Sequence, residues 1–158
     1  MINDSSIVFE NIQVVQTEYK WVALTVTTVG TFMVALDASI LIVGLPVLLR
    51  ELEATLVHGV WVITGYRLAI TILLVAIGRA ADMLGRVRLY VLGFGVFTIS
   101  SALCGLSQSG EQLVIFRLLQ GIGGALIIVN SVAVIADAFP PSELGMGIGI
   151  NFMAFNLG

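Results

Sequence analysis

Residues 78–90 read GRAADMLGRVRLY and gather Arg79, Asp82, Arg86 and Arg88 into one short stretch of a 158-residue chain that is only 11% charged. The runs on either side, VWVITGYRLAITILLVAI before it and LYVLGFGVFTISSALCGL after it, are apolar. Each is close to the roughly 20 residues that carry a helix across a bilayer. Charge confined between two such runs marks a loop at a membrane surface, so this stretch predicts two spanning helices joined at the water interface.

The rest of the chain follows the same pattern. Its hydrophobic fraction is 58% and its mean hydropathy +1.07, against roughly 45–50% apolar residues in soluble domains. The apolar runs are continuous rather than alternating, which selects helices over a barrel, because unpaired backbone groups cannot face lipid. Five runs stand out, at about 21–49, 60–77, 89–106, 113–135 and 144–158. The last is too short to span at roughly 1.5 Å per residue. The expected fold is an all-α integral membrane bundle of four helices and the start of a fifth, interrupted inside that helix.

Residues 1–20 carry Asp4, Glu10 and Glu18 against Lys20 alone and lack the basic region of a secretory signal. They read as a cytoplasmic tail. With the N-terminus inside, Lys20, Arg79, Arg86 and Arg88 are cytoplasmic and only Arg50 is outside, the bias of the positive-inside rule. A multi-pass protein of the cytoplasmic membrane is expected. Pro140 and Pro141 close the fourth run, and Ser142 is placed to N-cap the fifth. LLRELEATLVHG and SQSGEQ form short outer connections, with His58 a solvated loop residue. The third run offers only Ser, Thr and Cys as polar groups and is expected to face lipid or pack peripherally.

Charge inside the bilayer is expensive, at least roughly 2.5–3.5 kcal/mol per residue, so ionisable residues there are functional candidates. Asp37, Arg67 and Arg117 qualify. At about 1.5 Å per residue both arginines lie roughly 8–9 Å below the outer face and Asp37 lies near the midplane. Because Cβ bonds tilt toward each helix N-terminus, the reading favours a water-filled cavity shared by all three over a direct salt bridge. Arg117, Gln120, Gly121, Gly124 and Ser131 form one stripe at helical spacing, and Thr64, Arg67, Thr71 and Gly78 form another. Gly121, Gly124, Gly145 and Gly149 are expected to let helices approach closely.

Other chemistries are excluded. One His and one Cys assemble neither a metal site nor an activated nucleophile, so no enzyme, metal or cofactor is expected, and Cys104 reads as an inert apolar-run residue. GIGGAL lacks the preceding strand that a dinucleotide-binding turn requires. A net charge of −3 suggests no nucleic-acid partner. The expected partner is the lipid bilayer.

Three stretches together resemble the major facilitator superfamily and, within it, the fourteen-helix drug:proton antiporters of the EmrB/QacA type. GRAADMLGRVRLY resembles that superfamily's loop between helices 2 and 3, with Gly78, Ala81, Asp82, Gly85 and Arg86 in register and Arg88 following. FMVALDASILIVGLP (32–46) resembles the helix 1 motif through Leu36, Asp37, Ser39, Ile40, Val43, Leu45 and Pro46, although Ile42 stands where the motif has Asn. FRLLQGIGGAL (116–126) is similar to the helix 4 pattern through Arg117, Gln120, Gly121 and Gly123, and LGMGIGINFMAFNLG (144–158) resembles the opening of the helix 5 antiporter motif.

The resemblance implies a secondary transporter, proton-coupled and exporting drugs or other small amphiphilic molecules, with protons and a small-molecule substrate as further partners and the missing C-terminal helices of the same protein completing it. It also implies that Asp82 and Arg86, four residues apart as in a helical ion pair, latch the cytoplasmic side in one state. Asp37, with Arg117, Gln120 and Arg67, is the candidate proton- and substrate-responsive group. Asp37, Arg67 and Arg117 sum to about +1, which favours a neutral or acidic amphiphile. The rival reading is a truncated, non-transporting helical bundle that acts through helix–helix contacts.

Overall fold

The structure, a computed structural model, describes the backbone of residues 4–158 and the side chains of residues 18–158. The described residues form five helices: α1 (Asp4–Glu51), α2 (Leu56–Leu84), α3 (Arg86–Gly105), α4 (Gly110–Ala138) and α5 (Leu144–Leu157). Four stretches, Glu18–Glu51, Leu56–Leu84, Arg86–Gly105 and Gly110–Ala138, are long and apolar enough to cross a membrane, and α5 is shorter.

The helices overrun the apolar runs. From Asp4 onward the expected tail is helical and continuous with α1, since residues 4–20 contain neither glycine nor proline to end the hydrogen-bond ladder; the side chains of Asp4 and Glu10 lie outside the described residues. α2 begins at Leu56, where the Thr55 backbone N–H donates to His58 Nδ1 at 3.1 Å. His58 is thus a helix-capping group rather than a loop residue. At its other end α2 runs on through Arg79 and Asp82, so the expected charged loop shrinks to Gly85, whose φ of +96° lies in the region glycine tolerates and L side chains resist. Hydropathy reports where water begins.

Ser109 caps α4 by accepting from the Gln112 N–H at 3.3 Å. Pro140 and Pro141 follow the end of α4 as expected. The N-cap of α5 is Glu143 rather than Ser142, and the Glu143 side chain pairs instead with Lys20.

α4 is the centre of the bundle and touches every other helix. One of its faces meets α3 where Gly93 and Gly123 oppose each other: a Cβ on Gly123 would sit 2.5 Å from Phe97 N, and one on Gly93 2.5 Å from Leu126 Cβ. α3 is therefore packed tightly on α4 through Gly93 and Phe97, while Val91, Leu92 and Ile99 remain exposed. The exposed side agrees with the expected peripheral position, and the contact with α4 rests on small residues, which let backbones approach. A second face of α4 meets α2 through Gly121, where a Cβ would lie 2.8 Å from Tyr66 O and from Ala69 Cβ. Gly145 and Gly149 have nothing within 4 Å of an added Cβ; on α5 the buried glycine is Gly147, against Ile135 and Phe139.

Gly123→Leu is expected to destabilise by about 3 kcal/mol or more, because overpacking here meets backbone rather than a movable side chain. Gly95→Leu, into open space, is expected to change stability by no more than about 0.5 kcal/mol. Thermal unfolding of the two purified variants in detergent checks the difference.

Candidate functional site

The strongest polar cluster lies where α1 crosses α4. Asp37 Oδ2 accepts from Arg117 Nη1 at 2.6 Å, and Asp37 Oδ1 accepts from Gln120 Nε2 at 2.9 Å. One turn of α4 presents both donors, so each carboxylate oxygen has its own. Arg117 is 6% and Gln120 0% exposed, and the Asp37 side chain is 16% exposed. The amide of Gln120 is oriented from behind by the Cys104 thiol, which donates to Gln120 Oε1 at 3.7 Å.

This is a direct ion pair, contrary to the cavity expected from depth and Cβ tilt. The length of the arginine side chain outweighs the tilt, and Gln120, a turn further along α4, supplies the second donor at the carboxylate. Arg67 stands apart. It is exposed on α2, on the stripe with Thr64 and Thr71 rather than on the face where Val62, Gly65 and Tyr66 are buried against α4, and it makes no ion pair among the described residues. The site therefore holds Asp37, Arg117 and Gln120 together and leaves Arg67 outside.

Tyr66 belongs to the cluster but escaped the sequence reading. Its ring centroid lies 5.8 Å from the Arg117 guanidinium carbon, and its hydroxyl oxygen lies 3.0 Å from where a Cβ on Gly124 would sit. Gly121 and Gly124 thus make room for a tyrosine beneath the arginine. The visible signal was the spacing of those glycines, which pointed to a close neighbour without naming it.

A second polar contact ties α1 to α4 deeper in the bundle. Thr31 Oγ1 and Ser131 Oγ lie 3.0 Å apart, and Asn151 Nδ2 of α5 donates to Ser131 Oγ at 2.9 Å and to Thr31 Oγ1 at 3.2 Å. Ser131 fell on the predicted stripe; Thr31 and Asn151 were not singled out.

The charged stretch 78–90 contributes to a third cluster. Arg86 Nη2 reaches Asp82 Oδ1 at 3.1 Å, while Nη1 donates to Asp137 Oδ1 at 2.7 Å and to the Ala133 carbonyl at 3.3 Å. The helical spacing of Asp82 and Arg86 was legible; Asp137, at the end of α4, was not. Gly78 has nothing within 4 Å of an added Cβ, Gly85 is the one-residue break between α2 and α3, and Arg79 and Arg88 are exposed. At the same end Lys20 lies over the Trp21 and Phe139 rings, 5.6 and 5.8 Å from their centroids. At the opposite end His58 Nε2 lies 3.4 Å from Glu111 Oε1.

Residues 27–158 match the sequence model of the Major Facilitator Superfamily, and the chain belongs to that family. It is 34% identical over 139 residues to the riboflavin transporter RibZ of Clostridioides difficile, covering 88% of this chain and 30% of that protein. It is 37% identical over 130 residues to a tetracenomycin C resistance and export protein of Streptomyces glaucescens, 82% of this chain and 24% of the relative. It is 36% identical over 121 residues to the multidrug export protein EmrB of Haemophilus influenzae, 77% and 24% respectively. The chain thus spans less than a third of the length of these relatives.

Removing one partner of a buried ion pair strands the other, which costs roughly 3–5 kcal/mol, whereas replacing both with apolar residues is often close to neutral. Arg117→Leu is accordingly expected to lose about that much stability. The double variant Asp37→Leu, Arg117→Leu is expected to recover most of it. Equilibrium unfolding of these two variants beside the parent and Asp37→Leu alone measures the coupling.

Proposed function

We propose that this member of the Major Facilitator Superfamily is the N-terminal part of a proton-coupled exporter of small amphiphilic molecules, of the fourteen-helix EmrB/QacA-like branch, with its N-terminus in the cytoplasm. The observation that carries the reading is the buried Asp37–Arg117–Gln120 cluster. An ionisable pair in the apolar part of a helical bundle is costly to retain, and a group that can be neutral or charged is what coupling to a proton gradient requires. Secondary transporters place such groups near the bilayer midplane and rock rigid helical units around them.

In this reading Asp37 is charged and held by Arg117 in the state described. A proton arriving at a carboxylate oxygen converts it to a neutral acid, dissolves the charge pair and leaves Arg117 as the site's only charge. Rocking of the half-bundle against the remainder of the protein exposes Asp37 to the other side, where the proton leaves. Naming of relatives as export and multidrug export proteins supports the direction and the substrate class.

The Arg86 cluster supports the latch. Arg86 joins the end of α2 and the start of α3 to the end of α4, on the face that also holds Lys20, Arg79 and Arg88, which favours the cytoplasmic side for that end. Since Asp37 and Arg117 neutralise each other, the expected preference for neutral or acidic amphiphiles rests on Arg67 alone, exposed on α2.

In proteoliposomes of the complete protein, Asp37→Asn is expected to abolish export driven by a pH gradient; retained gradient-driven export would falsify the role of Asp37. Asp82→Asn is expected to lower transport several-fold at matched expression with little effect on insertion, because Arg86 keeps Asp137 as a partner but loses its hold on α2. Transport equal to that of the parent would remove the latch.

A further inference from the structure

Two buried polar atoms beside the ion pair have no hydrogen-bond partner among the described residues: Tyr66 Oη and Arg117 Nε. They belong to side chains already in contact, with the guanidinium over the ring. Tyr66 is 5% exposed, and its neighbours in the packed core are Val34, Tyr90, Phe97 and Ile127, none of which offers it a hydrogen bond here; the Tyr90 hydroxyl is committed to the Val26 carbonyl. A buried hydroxyl without a partner is unfavourable, and phenylalanine would fill the same space without that cost. The glycines at 121 and 124 that admit the ring would admit phenylalanine equally well. The hydroxyl is therefore unexplained by the packing of this state.

The proton-coupled reading, on which this inference rests, creates a demand in the other state. When Asp37 takes a proton, the guanidinium loses its carboxylate while still buried, and a stranded buried charge is strongly unfavourable unless it finds another acceptor. Gln120 turns its amide nitrogen to Asp37 and its oxygen to Cys104, so the group it presents to the carboxylate is a donor rather than an acceptor. Among the described residues of the cluster, Tyr66 Oη is a buried acceptor without a partner, and Arg117 Nε a buried donor without one.

We propose that Tyr66 is the alternative partner of Arg117: once Asp37 is protonated, the guanidinium donates to Tyr66 Oη, and it returns to Asp37 when the proton leaves. No bond other than hydrogen bonds is exchanged; the proton enters and leaves at the Asp37 carboxylate, and Arg117 stays charged throughout. Tyr66 is a positioning residue that acts through Arg117.

The test is Tyr66→Phe in the complete protein, measured for thermal unfolding in detergent and for pH-gradient-driven transport in proteoliposomes, beside Asp37→Asn. The expected result is a midpoint of unfolding at or above the parent's together with a loss of transport of about tenfold, the scale of one hydrogen bond to a charged group. A structural tyrosine would not separate the two readouts. Tyr66→Phe that transports like the parent overturns the proposal. Tyr66→Phe that loses stability in step with transport also overturns it, since the hydroxyl would then be bonded in the resting state. If Asp37→Asn retains gradient-driven transport, the coupling reading fails first, and that outcome is read from Asp37→Asn independently of Tyr66.

Discussion

A charge inside lipid must be matched where it stands, and the Asp37–Arg117 pair imposes that constraint on the whole bundle. Helices gain little from the hydrophobic effect against one another when lipid tails are equally apolar, so close packing and polar contacts decide which faces meet. The carboxylate on α1 fixes which face of α1 meets α4, and the matched donors Arg117 and Gln120 fix the depth. Thr31, six residues from Asp37 and so about 9 Å further along α1, repeats the attachment through Ser131 and Asn151. Two polar pins on one helix set rotation and register together; a single pin would allow α1 to pivot.

The small residues of α4 serve the same constraint. Gly123 faces Phe97 of α3, while Gly121 and Gly124 face Tyr66 of α2, so three glycines within four positions of one helix serve two interfaces. Replacing bulk with backbone contact brings α2 and α3 close enough that the ion pair is walled by Tyr66 on one side and Cys104 on another. The glycines read as packing devices and the polar stripe read as a site are thus one feature, because the packing builds the walls of the site.

Much of this was legible from residue order. Apolar run length located four spans, the proline pair located the end of α4, and the energetic penalty of intramembrane charge singled out Asp37 and Arg117. Partners were harder to read. Asp137 and Asn151 are unremarkable in their own helices and acquire meaning only through the register of one helix against another, which no local period encodes. The choice between a shared cavity and a direct ion pair turned on a few ångströms of side-chain reach, beyond the resolution of depth estimated along helix axes. Gly145 and Gly149 show the converse: their spacing matches a packing motif, yet it is Gly147 that α5 buries, because periodicity cannot tell which side of a helix will be covered.

The groups around the pair bear on the proton-coupled role proposed for it. Asp37 and Arg117 together are neutral, so the site tolerates burial, but protonation of the carboxyl leaves a net positive charge in the same apolar surroundings. A second carboxylate beside Arg117 would relieve that charge and also hold the arginine permanently, removing any response to the proton. Gln120, Cys104 and Tyr66 are instead neutral dipoles, able to accept or orient hydrogen bonds without competing with Asp37 when it is charged. A charge pair surrounded by neutral acceptors can exchange partners at modest cost, whereas one surrounded by further charges cannot. The neutral groups lining the cluster, as much as its two charges, fit it to the proposed cycle, in which a proton is loaded and released.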